Sequence, residues 1–119
     1  MKIPSQEVRW IYKNITYNTG NPELLKAANN NNLTFTSMQF NVANTYSTGI
    51  VLDIYFQDAN GTKFYMVKDS KLGRGYNIDF INGHSNGLTW SDDMDLYTKI
   101  STASGTASVI MSYVAVYNK

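Results

Sequence analysis

From Leu33 onward, apolar residues recur at every second position. Met38, Phe40 and Val42 form one such series, Ile50, Leu52, Ile54 and Phe56 another, and Met94, Leu96, Thr98 and Ile100 a third. A helix would need a period near 3.6, so these series belong to pleated strands with one face on a core. The stretch Ala107 to Tyr117 is apolar on both faces, with Val109, Met111 and Tyr113 on one and Ile110, Val114 and Val116 on the other. That pattern predicts one face on the core and the other against a partner or the N-terminal segment.

Composition points the same way. Asn, Thr and Ser together make 35 of 119 residues, and charged side chains only 16%. Good helix formers are scarce, while Thr, Tyr, Phe, Val and Ile, which suit pleated surfaces, are common. Turn signals separate the strands. Asp58-Ala59-Asn60-Gly61 reads as a hairpin, Gly73 and Gly75 break the chain, Asn82-Gly83 and Asn86-Gly87 flank a loop, and Ser104-Gly105 turns it. About seven or eight short strands at roughly 10–15-residue spacing predict an all-β, antiparallel β-sandwich, Ig-like or jelly-roll-like.

The first third is less regular. Val8 to Tyr17 reads as a strand, and Thr19-Gly20-Asn21-Pro22 as a turn. Asn21 is a possible N-cap with Pro22 at the first helical position, which predicts one short helix within Pro22 to Ala28. Asn29 to Asn32 would stop it. The expected organisation is therefore an N-terminal arm over residues 1–32 and a sandwich over 33–119.

Several function classes are excluded or disfavoured. The chain has no cysteine, so disulfides and thiolate chemistry are impossible, and its single histidine rules out any site needing two. A net charge of +1 provides no general attraction to nucleic acid or to an anionic membrane. The first residues lack the apolar run of a secretory signal, so either synthesis in the cytoplasm or a trimmed mature chain is expected. The Asn-x-Ser/Thr matches at Asn14, Asn32 and Asn60 would matter only in a secreted chain.

The chemistry-bearing residues are thinly spread. His84 has Ser85 beside it, but adjacent side chains point apart, so an exposed loop histidine is the expectation. Asp92, Asp93 and Asp95, with Asp69 and Asp79, are the one acidic concentration, yet the pattern of a calcium loop is missing and turn acids are expected. Gly73-Arg74-Gly75 lacks the spacing and lysine of a phosphate loop. No catalytic residue, metal or cofactor is therefore expected, and the chain reads as a non-enzyme. Its nine tyrosines and two tryptophans fit protein interfaces. Candidate contact residues are Trp10, Ile11, Tyr12 and Ile15 in the first third, with Tyr113 and Tyr117 on the last strand. The alternative is a carbohydrate-binding module of the host-surface adhesin kind. Tyr76 and Trp90 would form its platform, with Asn82, Asn86 and Asp92 as polar contacts.

From Met38 onward the chain resembles a group of small tailed-bacteriophage virion proteins. The resemblance rests on Asn41-Val42-Ala43-Asn44-Thr45, Thr48-Gly49-Ile50-Val51-Leu52-Asp53-Ile54-Tyr55 and Phe64-Tyr65-Met66-Val67-Lys68. It continues through Gly73, Asp92-Asp93-Met94-Asp95-Leu96-Tyr97 and Ala107-Ser108-Val109-Ile110-Met111-Ser112-Tyr113. It covers about two-thirds of the chain and departs from the group's pattern over residues 82–90. It implies a structural part of a virion, most simply a capsid decoration (cement) protein, or alternatively a neck- or tail-associated one. Its partners would be the major capsid protein or other virion proteins and sister copies of itself.

Overall fold

Nine strands pair into two antiparallel sheets in the computed structural model, which describes residues 6–79 and 89–117, and their side chains except at 6, 37, 38, 78 and 79. The strands are β1 (Gln6–Thr16), β2 (Glu23–Lys26), β3 (Leu33–Asn44), β4 (Ile50–Gln57), β5 (Lys63–Leu72), β6 (Asn77–Asp79), β7 (Thr89–Ser91), β8 (Asp95–Ile100) and β9 (Thr106–Tyr117). One sheet runs β1-β9-β3-β6, with the short β7 also paired to β3, and the other runs β2-β8-β4-β5. Apart from β7, first pairs with last, second with second-last, and so inward to the β4–β5 hairpin. That is a long antiparallel ribbon rolled into two layers, the jelly-roll arrangement.

The alternation seen in the sequence is the burial pattern. Ile50, Leu52, Ile54 and Phe56 of β4 pack between the sheets with Leu96 and Ile100 of β8. Opposite them lie Phe35, Phe40 and Val42 of β3 and Ala107, Val109, Met111, Tyr113 and Ala115 of β9. Each fully buried aliphatic or aromatic side chain contributes about 1.5–3 kcal/mol relative to exposure. In β3 the phase changes. Leu33 and Phe35 are buried at odd positions, Phe40 and Val42 at even ones, and the register against β9 shifts between Ser37 and Gln39. One extra residue in the strand, a bulge, moves the apolar set back onto the core.

The turns follow the expected chemistry. In the β4–β5 hairpin the Asp58 carboxylate accepts from the amides of Asn60 and Thr62, and Gly61 takes φ +84°. Asn44, at the end of β3, is buried. Its side-chain amide donates to the carbonyls of Thr48 and Leu72, and its carbonyl oxygen accepts from the Tyr46 amide, so it ties three segments together.

The short helix expected within Pro22 to Ala28 is not formed. Residues 23–26 are β2, paired to β8. The free edge of β8 supplies ladder partners for these amides, and Leu25 drops into the core, so tertiary pairing overrides the local capping signal. The segment expected as an arm is thus placed as one edge strand on each sheet, with Ile15 of β1 and Leu25 of β2 sharing the common core.

Gly105 opens β9 where no side chain fits. A Cβ there would lie 2.7 Å from Ile100 Cγ2 and 3.1 Å from Ile50 Cγ2, whereas one on Gly49 would meet nothing closer than 3.6 Å. Gly105→Ala is expected to destabilise the fold by about 1–3 kcal/mol, as overpacked cores do. Gly49→Ala should leave the denaturation midpoint nearly unchanged, and urea titration of both variants measures the difference.

Candidate assembly surfaces

The two sheets present different outer faces. On the first sheet, even-numbered residues of β1 and β9 point outward and lie opposite one another, Val8 against Val114, Trp10 against Ser112 and Tyr12 against Ile110. Trp10 is 56% exposed, Tyr12 70%, and Val8 and Ile110 43% each. Towards β3 the same face becomes polar, with Thr36 opposite Val114, Gln39 opposite Ser112 and Asn41 opposite Ile110. The result is an aromatic and aliphatic strip along one edge of a polar face. The strip is the candidate contact surface of this sheet.

The inner face of β1 is charged where it overhangs the core. Arg9 Nε donates to Glu7 Oε1, and its guanidinium lies 5.9 Å from the Phe35 ring centre. Lys13 Nζ donates to the Leu24 carbonyl of β2 at 3.1 Å, linking the edges of the two sheets.

The outer face of the second sheet carries a row of tyrosines. Tyr55 of β4 lies opposite Tyr65 of β5 and Tyr97 of β8, at centroid distances of 5.2 and 5.5 Å. Leu24 of β2 extends the row beyond Tyr97. Lysines cover it, with Lys63 Nζ 5.1 Å above Tyr55 and Lys68 Nζ 4.6 Å above Tyr65. Burial pushes the Tyr55 phenol up from its ordinary range, and Tyr65 and Tyr97 add to the shift. The lysines cover Tyr55, which is buried, while Tyr65 and Leu24 stay 42% and 38% exposed.

The candidate residues separate by face. Trp10, Tyr12 and Tyr117 are exposed. Ile11 packs against the core, and Ile15 and Tyr113 lie within it. Tyr113 meets Phe35 edge-on at 5.2 Å and Trp90 at 5.7 Å, and burial pushes its phenol up while Arg9 pulls it down. Tyr76 is exposed, but Trp90 is 6% exposed and held among Phe35, Phe56 and Tyr113. It is therefore core, and no open aromatic platform forms with Tyr76. Asn82, Asn86 and His84 lie outside the described residues. Val8 and Ile110 complete the strip. Ile110 belongs to the second apolar face that the sequence marks on β9, while the place of Val8 opposite Val114 becomes visible only from the β1–β9 register.

The aspartates serve turns and loops. Asp92 is buried, its Oδ1 accepting from Lys26 Nζ at 2.9 Å and its Oδ2 from the Asn31 amide, while its backbone carbonyl accepts from Asn29 and Asn30. Asp95 accepts from the Ala28 amide at 2.7 Å. Together they fasten the asparagine-rich loop before β3 to the turn before β8. Asp53, also buried, accepts from the Asp69 amide, which allows Asp69 its left-handed φ of 51°. The Gly73–Tyr76 turn is closed by the Tyr76 amide donating to the Gly73 carbonyl.

Solved structures share this fold. A subunit from Bacillus endospore appendages, described as disulfide-linked pili, superposes with a TM-score of 0.65 at 12% identity. The match covers 98% of this chain and 93% of that one. A T=1 particle derived from infectious bursal virus gives a TM-score of 0.56 at 17% identity over 95% of this chain. The Gx strain of infectious bursal disease virus gives 0.52 at 15% identity. The chain spans about a third of these viral subunits, 32% and 33% of their length. No protein-family model matches the sequence, and no curated protein matches it either.

Two outcomes test this description. Lys26→Met strands the Asp92 carboxylate in a site where its side chain is only 2% exposed, and is expected to cost about 3–5 kcal/mol by thermal denaturation. Alkali should act through the tyrosines. With the Tyr55 and Tyr113 phenols raised in the folded chain, the unfolded chain releases these protons first, from about pH 10. Their contribution is full below that pH and is lost as pH rises through the folded values. The double variant Tyr55→Phe with Tyr113→Phe should lose stability less steeply above pH ~10 than the parent.

Proposed function

We propose that this chain is a structural building block of an assembled protein particle, and that the particle is a tailed-bacteriophage virion whose capsid it decorates. The observation that carries this reading is the exposed strip of Val8, Trp10, Tyr12 and Ile110 on an otherwise polar sheet face. Side chains of this kind gain most from burial against other protein. The fold shared with pilus and capsid subunits supports the reading, and the virion setting comes from the sequence resemblance over Met38 to Tyr113. The chain would act by surface burial and not by turnover, docking on a capsid lattice in many copies so that modest contacts add up through avidity. The pili of the Bacillus appendages are disulfide-linked, but this chain has no cysteine, so no disulfide can join its copies.

Mass spectrometry of purified particles from the strain that encodes the chain is the direct test. The chain is expected at a copy number comparable with the capsid protein, and cryo-electron microscopy should place its sandwich on the outer surface. Absence from purified particles would remove the virion reading.

A further inference from the structure

The edges of the two sheets are not alike. β6 and β7, on the far side of β3, have three residues each, and β2 has four with a register shift. β5 carries Lys63, Lys68 and Lys71 and meets β4 across two register shifts. Short, irregular and lysine-bearing edges are the usual means by which sheets refuse another strand. β1 differs. It runs for 11 residues in unbroken register against β9, holds no proline, and among the described residues has no strand on its other side.

We propose that the free edge of β1 pairs with β1 of a second copy, antiparallel about a two-fold axis through Trp10 and perpendicular to the sheet. Such an axis keeps each face of the sheet continuous, so facing positions must have the same parity. Centred on Trp10, the register sets Glu7 against the partner's Lys13 and Val8 against the partner's Tyr12, over residues 6–14. The charged pair occurs twice and lies on the inner face. Glu7 already accepts from Arg9 through Oε1 at 2.6 Å, but its side chain is 63% exposed and a carboxylate has a second oxygen, while Lys13 spends one of three N–H donors on Leu24. On the outer face, Trp10 meets its own copy between two Val–Tyr pairs, the aromatic and β-branched pairings that stabilise sheets.

Other centres fit worse. An axis at Ile11 sets Arg9 against the partner's Lys13, and one at Arg9 sets two arginines face to face; like charges directly opposite are destabilising. An axis at Tyr12 carries Glu7 beyond the paired strand, and one at Val8 leaves only residues 6–10 paired.

Because each face stays continuous, the pairing covers only the strand edge and the flanks of Val8, Trp10 and Tyr12, and leaves Ile110 on β9 uncovered. The contact is therefore smaller than the ~800 Å² per partner of a standard interface, and the dimer is expected to be weak. The pairing rests on the edge of β1 and not on the virion reading, so it stands or falls whether or not larger particles form.

Sedimentation velocity of the full chain should show a concentration-dependent dimer. Glu7→Lys alone and Lys13→Glu alone should each weaken it by roughly tenfold, because two attractive pairs become repulsive. The double reversal should restore it. Since the chain has no cysteine, Trp10→Cys should cross-link to itself under mild oxidation, while Val8→Cys should cross-link only when mixed with Tyr12→Cys. A chain that stays monomeric at millimolar concentration overturns the pairing. So does a dimer indifferent to both charge reversals while circular dichroism shows the variants folded, or one that cross-links equally from every position.

Discussion

Everything in this molecule depends on the pairing of its two ends. β9 is the last strand described, yet it lies between β1 and β3, and its odd-numbered residues from Ala107 to Ala115 are all buried. Ile11 faces Met111 across the β1–β9 ladder, so the contact that completes the first sheet closes almost the full chain. Closing so long a loop adds little to the entropy cost, which grows only with the logarithm of its length, but it delays the reward until most of the chain has been brought together. From the inner β4–β5 hairpin the nested pairs run outward through β3–β6 and β2–β8 to the terminal pair.

The layer structure was legible wherever period-two alternation met a turn of known chemistry. The Asp58–Gly61 hairpin, the turn at Ser104 and Gly105, and the inward set of β4 all lie where the sequence places them. What was not legible depends on neighbours distant in sequence. Asn21 and Pro22 look like the start of a helix, and only the waiting edge of β8 makes residues 23–26 a strand. Trp90 sits beside a turn-rich stretch and reads as a loop aromatic, but pairing of β7 to β3 carries it into the core beside Phe35. The phase change in β3 is written in the sequence as buried residues at 33 and 35 and then at 40 and 42, though its meaning appears only with the bulge.

The candidate contact residues follow the same division. Trp10 and Tyr12 were legible as apolar side chains beyond the needs of a solvated segment. Ile11 and Ile15, which alternate with them, belong to the other face, and that assignment needs only the parity of a strand. Tyr113 shares the inward parity of Val109 and Met111, so its burial was also within reach. Ile110 was seen as the second apolar face of β9, but its role in the strip required knowing that β1 lies beside β9 and not over it.

The contrast between edges bears on how such a chain holds to others without a disulfide. A fold closed on itself has reason to blunt every edge, since an open one recruits unwanted strands. Here β5, β2, β6 and β7 are blunted by lysines, irregular register or brevity, while β1 keeps a long, regular edge with its aromatic residues facing out. Leaving one edge open is a risk unless something covers it, and the charges on β1 limit what that can be. Arg9 and Lys13 on the inner face repel strands that bring cations opposite them, whereas Glu7 accepts a strand in one register. A chain with no cysteine to lock a neighbour by a disulfide has this selectivity of charge and register to fix which strand it accepts, and the backbone ladder with the cross-strand contacts of Trp10 and Tyr12 to hold it there.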